Sequence, residues 1–556
     1  MLFRSPSSTH SPRPPIRTLR PTRMDNHQNQ PPPPPPDARK KQRREQSVAA
    51  GFVWLFAQSV VGRLIGLVSQ FVLAALLAPE AFGLLALAQT AFGIATQVQA
   101  MGIRAVLVQR RRRVRPWVNP AWWFAVASGL ALALLLAYLA PLLAIIYRDP
   151  GVIAVTLVLA LTPLFQSPAT VPDAILRGQK RFKAVAMIEF NRIVLHALLA
   201  VALAGAGLRA LALALPFPVT AAITLALAFR AAKPTITRKL QAKRWRFLLG
   251  SGGRITAGNA ALVAVNYGDF FALGLFHPSA IVGLYFFAFR LSSQIVPIIS
   301  NNVRGVLVPS LADFEKDTDA ANQRLLRATA IMSLIAYPVA LLHVAFAVPV
   351  INLIEQFTGD DKWQPAGTIL QILAAGMAWR IVRTPSTSVI LAQRRYTTKM
   401  LVNIAMGITF LAVVVPTAAL TGPLGVAAAV TAYHGLWVPV LLHIAGRPGH
   451  LRPAATLSVS LRPLPIAAAA PAPAYAATLT LPETPFHTWR SALLGSAVGI
   501  AAFTAASVLL AKGVCIETLQ HAASVAPGPA KKPVKLARRI LKTLPAIPWA
   551  AVKSTG

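Results

Sequence analysis

The chain has 556 residues, of which 55% are hydrophobic and 13% are charged, and its mean hydropathy is +0.56. Soluble globular domains carry about 25% charged residues, so this composition excludes an ordinary soluble protein. The formal net charge of +38 would indicate a nucleic-acid partner in a soluble chain. Here the basic residues lie in loops and tails, and no nucleic acid is expected.

The first 47 residues are rich in proline, arginine and polar residues and include six consecutive prolines at 31–36. Such a segment buries too little apolar surface to order itself, which predicts a disordered basic tail. It does not resemble a cleaved signal peptide, because the apolar run that begins at Gly51 is too long for one. Met1 and Met24 are both consistent with the start of translation.

Fourteen apolar segments of the chain are long enough to cross a bilayer, since a membrane helix needs about 20 residues. The sequence therefore predicts an all-α polytopic membrane protein with about 14 transmembrane helices. The thirteenth segment is the weakest, because prolines stand at positions 471 and 473. The predicted spans are 51–78, 82–103, 119–141, 151–171, 184–204, 210–229, 247–276, 280–310, 328–350, 366–391, 400–420, 424–444, 461–480 and 491–511.

Lysine and arginine residues are distributed unevenly between the two sides of these spans. With a cytoplasmic N-terminus, the inside segments, counted together with Arg462 at the cytoplasmic end of span 461–480, hold 44 of the 55 basic residues. The outside loops hold four, and the other span positions hold seven. Basic loops stay on the cytoplasmic side of a membrane. The distribution therefore predicts that both termini are cytoplasmic.

Two similar apolar hairpins, each broken by a proline, occur in the two halves of the chain. They are LLAPEAFGLLALA at 76–88 and LFHPSAIVGLYFFA at 275–288. Six predicted spans separate them, so the halves have the same orientation, as in a parallel repeat of two six-helix lobes around a central cavity. Chance similarity of two apolar hairpins is the competing explanation. The predicted organisation is a tail at 1–47, lobes at 48–246 and 247–446, an extra helix pair at 447–512 and a basic cytoplasmic tail at 513–556.

Three segments resemble motifs of the oligosaccharide (polysaccharide-repeat) flippases. Residues 54–88 resemble the first hairpin of that family, with the pattern L-A-x-x-L-x-P-E-x-F-G-x-x-A. Residues 266–314 are similar to the start of its second lobe, where an aspartate precedes a G-x-Y-x-x-A hairpin and a later P-x-L-A. Residues 359–377 resemble a third element, before the tenth span. The resemblance covers roughly residues 48–450, and the weak final helix pair and long tails depart from the commoner twelve-span form.

The resemblance implies a transporter that moves polyprenyl-diphosphate-linked oligosaccharides across the bacterial inner membrane for O-antigen, capsule or exopolysaccharide synthesis. Its implied partners are the lipid-linked substrate, the bilayer and the polymerase and glycosyltransferases of the same pathway. A drug or small-molecule exporter of the same superfamily and a membrane polysaccharide polymerase are the alternatives. The first alternative predicts more intramembrane acids, and the second predicts a large external loop.

Charged residues inside the predicted spans indicate function, because each costs about 2.5–3.5 kcal/mol or more at the bilayer centre. The spans contain only two acids, Glu189 and Asp269. The first twelve spans contain seven arginines, so the interior is net cationic and suits a diphosphate, which a guanidinium binds bidentately. These arginines are Arg63, Arg192, Arg254, Arg290, Arg304, Arg380 and Arg383.

The eighth span carries the clearest polar pattern. Gln294, Asn301 and Arg304 lie within about 40° of Arg290 at 100° per residue, which predicts one polar stripe facing a wet cavity or other protein. Pro297 lies on the same face, where a bend is expected. Snorkelling of Arg304 to the cytoplasmic surface is an equal alternative. The candidate residues of a substrate-binding cationic lumen are Arg63, Arg254, Arg290, Gln294, Asn301, Arg304 and Arg380.

Asp269, Glu189 and His196 are the candidates for ion or proton coupling. Glu189, Arg192 and His196 share one face of the fifth span. Glu189 either forms an i,i+3 ion pair with Arg192 or titrates freely. His196 is either a proton relay or a hydrogen-bonded interior histidine.

Other motifs carry no expected chemistry. GSGGR at 250–254 lacks the Lys-Ser/Thr ending of a phosphate-binding loop, and GDDKW at 359–363 reads as a solvated external turn. The single Cys515 excludes an intramolecular disulfide and a cysteine-rich metal site. No metal, cofactor or enzymatic activity is expected.

Overall fold

The computed structural model describes residues 58–99, 115–238, 241, 244–294, 296–297, 299–300, 318–449, 451 and 497–498. Within these residues all regular structure is helical, and eight helices are long and apolar enough to cross a membrane. Two shorter apolar stretches, Ala261–Phe276 and Ser279–Ser292, accompany them. The predicted all-α polytopic membrane fold is confirmed. The tails and the spans predicted at 461–480 and 491–511 lie outside the described residues, apart from positions 497 and 498.

The described helices fall on the first twelve predicted spans, of which the eighth is described only in part. The N-terminal half contains α1 (Gln58–Leu76), α2 (Pro79–Gln99), α3 (Arg115–Tyr147), α4 (Gly151–Ala160), α5 (Thr162–Gly178), α6 (Phe182–Gly205), α7 (Ala210–Ala214) and α8 (Pro216–Ala232). The C-terminal half contains α9 (Trp245–Phe276), α10 (Ser279–Ser292), α11 (Thr318–Thr358), α12 (Gln364–Val382), α13 (Thr384–Ala392) and α14 (Tyr396–Gly446).

Prolines explain why several predicted spans consist of two helices. Breaks fall at Leu161, Leu215 and Arg383, each one or two residues before a proline that opens the next helix. Proline lacks an N–H and fits the first turn of a helix, so the second helix restarts there. The opposite case is α14, which joins two spans across Gly422, where φ is 67° and ψ is −160°, followed by Pro423.

The helices pack mainly within the two halves of the chain. Helices α2–α8 contact one another, and α9–α14 contact one another, while α2 and α3 meet α9 and α10 between the halves. We call α1–α8 the N-lobe and α9–α14 the C-lobe. The proposed domain boundaries remain predictions.

The two repeated hairpins meet each other where α2 and α10 begin. A Cβ atom on Gly83 would lie 1.8 Å from the carbonyl oxygen of Ser279, and one on Gly283 would lie 1.8 Å from that of Pro79. Each glycine therefore packs directly on the backbone of the opposite helix. Each also lies four residues after the carbonyl group of its own helix that the other glycine contacts. Small residues allow membrane helices to approach this closely. The contact is reciprocal, as in a local two-fold relation between the lobes.

The segment between the lobes is attached to the N-lobe. The Trp123 indole donates a hydrogen bond to the Thr237 carbonyl at 2.9 Å, and the Thr237 N–H donates to Asn119 Oδ1 at 2.9 Å. At the start of α9, Trp245 donates to the Pro120 carbonyl at 3.1 Å and packs against Phe124. These contacts hold residues on both sides of the connection against α3.

Five non-glycine residues in the described ranges have positive φ, and all five are basic. Each stands in a turn next to the end of a helix, where lysine and arginine interact favourably with the last carbonyl groups. These turns separate consecutive helices and so mark the alternating ends of the bundle. The residues are Arg148, Lys180, Arg209, Lys233 and Arg394, with φ between 46° and 59°.

Candidate functional site

A charged contact joins the lobes at Arg63 of α1. Its Nη1 donates a hydrogen bond to Gln294 Oε1 at 3.0 Å, across 231 residues of sequence. Gln294 lies just after α10, so the bond connects the N-lobe with the C-lobe. Both residues are partly buried. The sequence predicted both residues for the cationic lumen, and the structure brings them together.

Arg290 of α10 belongs to the same region. Its guanidinium lies 5.8 Å from the ring centroid of Phe286 and interacts electrostatically with Arg63 and Tyr267. Two arginines from different lobes therefore lie close enough to repel each other. Like charges held together in this way are typical of a site that accepts an anion.

The N-lobe adds an ion pair from α6. Arg192 Nη2 lies 2.5 Å from Glu189 Oε1, and Arg192 Nε lies 3.0 Å from Glu189 Oε2. Arg192 and Glu189 both interact electrostatically with Arg63. The side chains of the pair are 38% and 42% exposed. The i,i+3 pair anticipated from the sequence is formed, with two-point geometry.

These residues form what we call the interlobe arginine cluster. Its three guanidinium groups face a single carboxylate, which leaves an excess of two positive charges. Arginine suits such a site because its planar group holds two oxygens at once. The cluster is Arg63, Glu189, Arg192, Arg290 and Gln294.

His196 lies beside this cluster and faces apolar neighbours. Its ring meets Phe217 edge-on at 4.8 Å between centroids, and its Nδ1 atom is buried without a hydrogen-bond partner among the described residues. Arg290 and Arg192 lie within electrostatic range. The structure therefore places this histidine in the interior, and its role stays a prediction.

A second polar group, the Asp269 cluster, lies inside the C-lobe. Asp269 is 1% exposed, and its carboxylate accepts hydrogen bonds from Tyr285 Oη at 3.1 Å and from the Phe270 N–H at 3.0 Å. Arg380 interacts electrostatically with Asp269 and donates to Asn266 Oδ1 at 3.4 Å. The cluster, completed by Phe289 below the Arg380 guanidinium, connects α9, α10 and α12.

The two clusters share helix α10, where they use different faces, and Tyr267 of α9 borders the arginine cluster. On α9, Tyr267 interacts with Arg290, whereas Asn266 and Asp269 face Arg380. A rotation of either helix therefore changes both clusters. Arg380, predicted for the lumen together with Arg63, lies instead with Asp269.

The predicted polar stripe on the eighth span is interrupted. Helix α10 ends at Ser292, Ser293 and Gln294 form a turn, and the described residues 296–297 and 299–300 are again helical. The ring of Pro297 clashes with the carbonyl four residues earlier, that of Ser293, so the break precedes the proline. The sequence predicted a bend at Pro297, and the structure places the turn at Ser293 and Gln294. Asn301, Arg304 and the side chain of Arg254 lie outside the described residues.

The dismissed motifs lie apart from both clusters. GSGGR at 250–254 falls within the helical backbone of α9. Gly359, Asp360 and Asp361 of GDDKW line an open cavity of about 630 Å³ with Asn352, Glu355 and Gln356, whereas Trp363 of the same motif is fully buried and departs from the expected solvated turn. No group of three potential ligands among His, Cys, Asp and Glu occurs within the described residues.

Sequence reasoning missed the aromatic and amide partners of the charged residues. Asn266 accepts a hydrogen bond from Arg380, and Tyr285 donates one to Asp269. Tyr267 interacts electrostatically with Arg290. A signal was available, because Asn266-Tyr267 directly precedes Gly268-Asp269 within an otherwise apolar helix. Polar residues concentrated in one turn of a membrane helix face protein or a wet cavity.

The fold and the cluster define a class: a polytopic helical transporter with a cationic site between two lobes. A structure of the lipid II flippase MurJ in an inward closed conformation matches with a TM-score of 0.67 at 12% identity, covering 82% of this chain and 99% of that chain. An inward-facing multidrug resistance transporter of the MATE family matches with a TM-score of 0.51 at 14% identity, covering 73% and 95%. At these levels of sequence identity, the similarity shows a shared fold and nothing more.

The model of a family described as "Polysaccharide biosynthesis protein" matches residues 72–367, more than half of the chain. The chain belongs to this family and is a multi-pass membrane protein. It is similar to the lipopolysaccharide biosynthesis protein WzxC of Escherichia coli (strain K12), with 23% identity over 396 residues, 68% of this chain and 77% of that protein. It is also similar to the succinoglycan biosynthesis transport protein ExoT of Rhizobium meliloti (strain 1021), with 24% identity over 312 residues, 54% of this chain and 60% of that protein.

Proposed function

We propose that this protein flips polyprenyl-diphosphate-linked oligosaccharides from the cytoplasmic to the periplasmic leaflet of a bacterial inner membrane, for surface polysaccharide synthesis. Family membership and the names of the relatives support this proposal. The observation that carries it is the interlobe arginine cluster, where Arg63 and Arg290 from opposite lobes lie within electrostatic range.

The physical task is to carry a diphosphate and several sugars through hydrocarbon. Transfer of an isolated charge into an apolar medium costs tens of kcal/mol, so the path must supply opposite charge and hydrogen bonds. In the proposed cycle the diphosphate replaces Gln294 at Arg63 and relieves the repulsion between Arg63 and Arg290. The polyprenyl tail stays in lipid while the lobes rock about the bound head group.

Glu189 gives the site a means of adjusting its charge. In the structure its carboxylate holds Arg192 through two contacts. When an anion arrives, Arg192 can turn to it and release Glu189, which then binds a cation or sugar hydroxyls. Asp269 and Arg380 form the other proposed coupling site, because Asp269 is a buried carboxylate on α9, the helix whose Tyr267 interacts with Arg290.

The charge distribution supports cytoplasmic N- and C-termini. With that orientation α2, α10 and α12 begin at the periplasmic side, and the basic turns at Lys180, Lys233 and Arg394 face the cytoplasm. A polymerase and glycosyltransferases of the same pathway are the proposed partners. They act on the substrate before and after it crosses.

The site is less suited to the two alternative functions. An exporter of organic cations needs acids to bind them, and the interlobe cluster has one carboxylate against three arginines. A polymerase needs an extended external domain, whereas the connection between α11 and α12 comprises only residues 359–363. A non-enzymatic transporter is therefore the proposal.

The test is replacement of Arg290 by Ala and by Lys. Removing a charged hydrogen-bonding group loses about 1.5–3 kcal/mol, so Arg290→Ala should slow flipping about tenfold to a hundredfold, with Arg290→Lys intermediate. Flipping is measured as exposure of lipid-linked oligosaccharide on the outer leaflet of vesicles, alongside surface polymer in cells. The control is Arg177→Ala, which removes an arginine paired with Asp173 away from the cluster. Normal polymer from inserted Arg290→Ala protein would contradict the proposal.

A further inference from the structure

Trp363 has the largest fully buried side chain among the described residues. It stands at the end of the connection between α11 and α12 in the C-lobe. Its indole Nε1 donates a 2.8 Å hydrogen bond to the carbonyl of Ala74, which is 289 residues away in the N-lobe. One side chain therefore ties the two lobes together at the end of the bundle where α2, α10 and α12 begin.

The acceptor of this bond is a carbonyl that α1 leaves open. Helix α1 ends at Leu76, and the last four carbonyl groups of a helix have no partner within it. The Leu73 carbonyl is used by the Leu77 N–H at 2.9 Å. The Ala74 carbonyl accepts its hydrogen bond from the Trp363 indole of the opposite lobe. An unpaired carbonyl buried at this place is unfavourable, so the bond favours the closed arrangement.

The indole also packs between aromatic rings of both lobes. Its ring lies 5.2 Å from that of Phe82 in α2 and 4.3 Å from that of Phe287 in α10, and these two phenylalanines are 5.7 Å apart. The two contacts of Phe82 are edge-on, and that between Trp363 and Phe287 is tilted by 40°; aromatic pairs of these kinds add to the stability gained from burial. Beside them lies the reciprocal crossing of Gly83 and Gly283. The seam is apolar and fully buried, unlike the partly exposed Arg63–Gln294 contact.

We propose that Trp363 is the latch of the outer gate: its hydrogen bond and ring contacts set how often the lobes separate on the periplasmic side. It is a positioning residue and touches no substrate. The inference rests on the proposed transport cycle for its biological meaning. Its physical content, the equilibrium between closed and open outer ends, is measurable without substrate.

The experiment measures access to a buried position behind the seam. Cys515 is the single cysteine, so Cys515→Ala provides a background in which Ala86→Cys is the reporter. Ala86 lies on α2 and is 0% exposed. A membrane-impermeant thiol reagent added from outside labels it only when the seam opens. The labelling rate therefore follows the population of the open state.

The variants separate the hydrogen bond from the ring packing. Trp363→Phe removes the N–H and should raise the labelling rate about threefold to tenfold, the effect of losing one net hydrogen bond. Trp363→Ala should raise it further. The matched control is Trp379→Phe, because Trp379 packs on Tyr337 within the C-lobe at 5.7 Å and should leave the rate unchanged.

Unfolding is detected with a second reporter, Ala374→Cys, which is 0% exposed inside the C-lobe and should stay unlabelled. If the Ala374→Cys reporter is labelled in Trp363→Ala, that variant is unfolded, and Trp363→Phe alone then tests the latch. Equal labelling of parent and Trp363→Phe, or an equal rise in Trp379→Phe, would overturn the latch. A protein that flips no lipid-linked oligosaccharide, yet opens faster with Trp363→Phe, would defeat the proposed function and leave the latch standing.

Discussion

Replacing Gly283 by alanine is predicted to push the lobes apart. The added Cβ would lie 1.8 Å from the Pro79 carbonyl oxygen, whereas carbon and oxygen approach to about 3.3 Å in favourable contacts. The helices must therefore separate by about 1.5 Å. Overpacking of this kind costs about 2 kcal/mol, which lowers the melting temperature of a lobe of about 200 residues by roughly 4–8 °C.

The assay is the melting temperature of purified protein in detergent, with three companion variants. Gly83→Ala should lose a similar amount, because its Cβ meets the Ser279 carbonyl at the same 1.8 Å. The double variant should lose less than the sum, since one separation relieves both clashes. Gly66→Ala is the control, because a Cβ there meets nothing within 4 Å. The reciprocal crossing is refuted if Gly283→Ala has the same melting temperature as Gly66→Ala. It is also refuted if the double variant loses the sum of the two single-variant losses in melting temperature.

Two further predictions concern coupling and topology. Asp269→Asn keeps an acceptor for Tyr285 but removes the charge facing Arg380, so the transport rate should fall about tenfold for a loss of about 1.5 kcal/mol. Transport by this variant should also lose any dependence on pH or sodium. A variant with the same dependence as the parent protein would exclude Asp269 from coupling. Lys362→Cys should be labelled by an impermeant reagent from outside, and Lys180→Cys only from inside; the reverse pattern would invert the proposed orientation.

The sequence was sufficient for the helical architecture because hydrophobic length and basic loops are local signals. The hairpins around Pro79 and Pro278 were recognisable as a repeat from their spacing alone. That they contact each other through Gly83 and Gly283 was not predictable, because a parallel repeat does not specify which surfaces face. The crossing depends on backbone approach, which a glycine permits but does not require.

Among the site residues, charge within apolar spans identified Arg63 and Arg290, and the polar stripe added Gln294; the structure brings the three to one place. Charge did not separate Arg380 from them, because position along a helix does not determine which neighbour a side chain faces. The bend predicted at Pro297 begins at Ser293, because a proline disturbs the turn of helix that precedes it.

The attachment of the interlobe connection to α3 determines where the protein can bend. Thr237 and Trp245 are both held by the N-lobe, whereas Gly407 packs on Ala261 farther along α9 within the C-lobe. In the proposed transport cycle, rocking of one bundle against the other is therefore expected to bend α9 between positions 245 and 261. That stretch carries three glycines in four residues, Gly250, Gly252 and Gly253. The expected hinge is thus part of a transmembrane helix and not a loop.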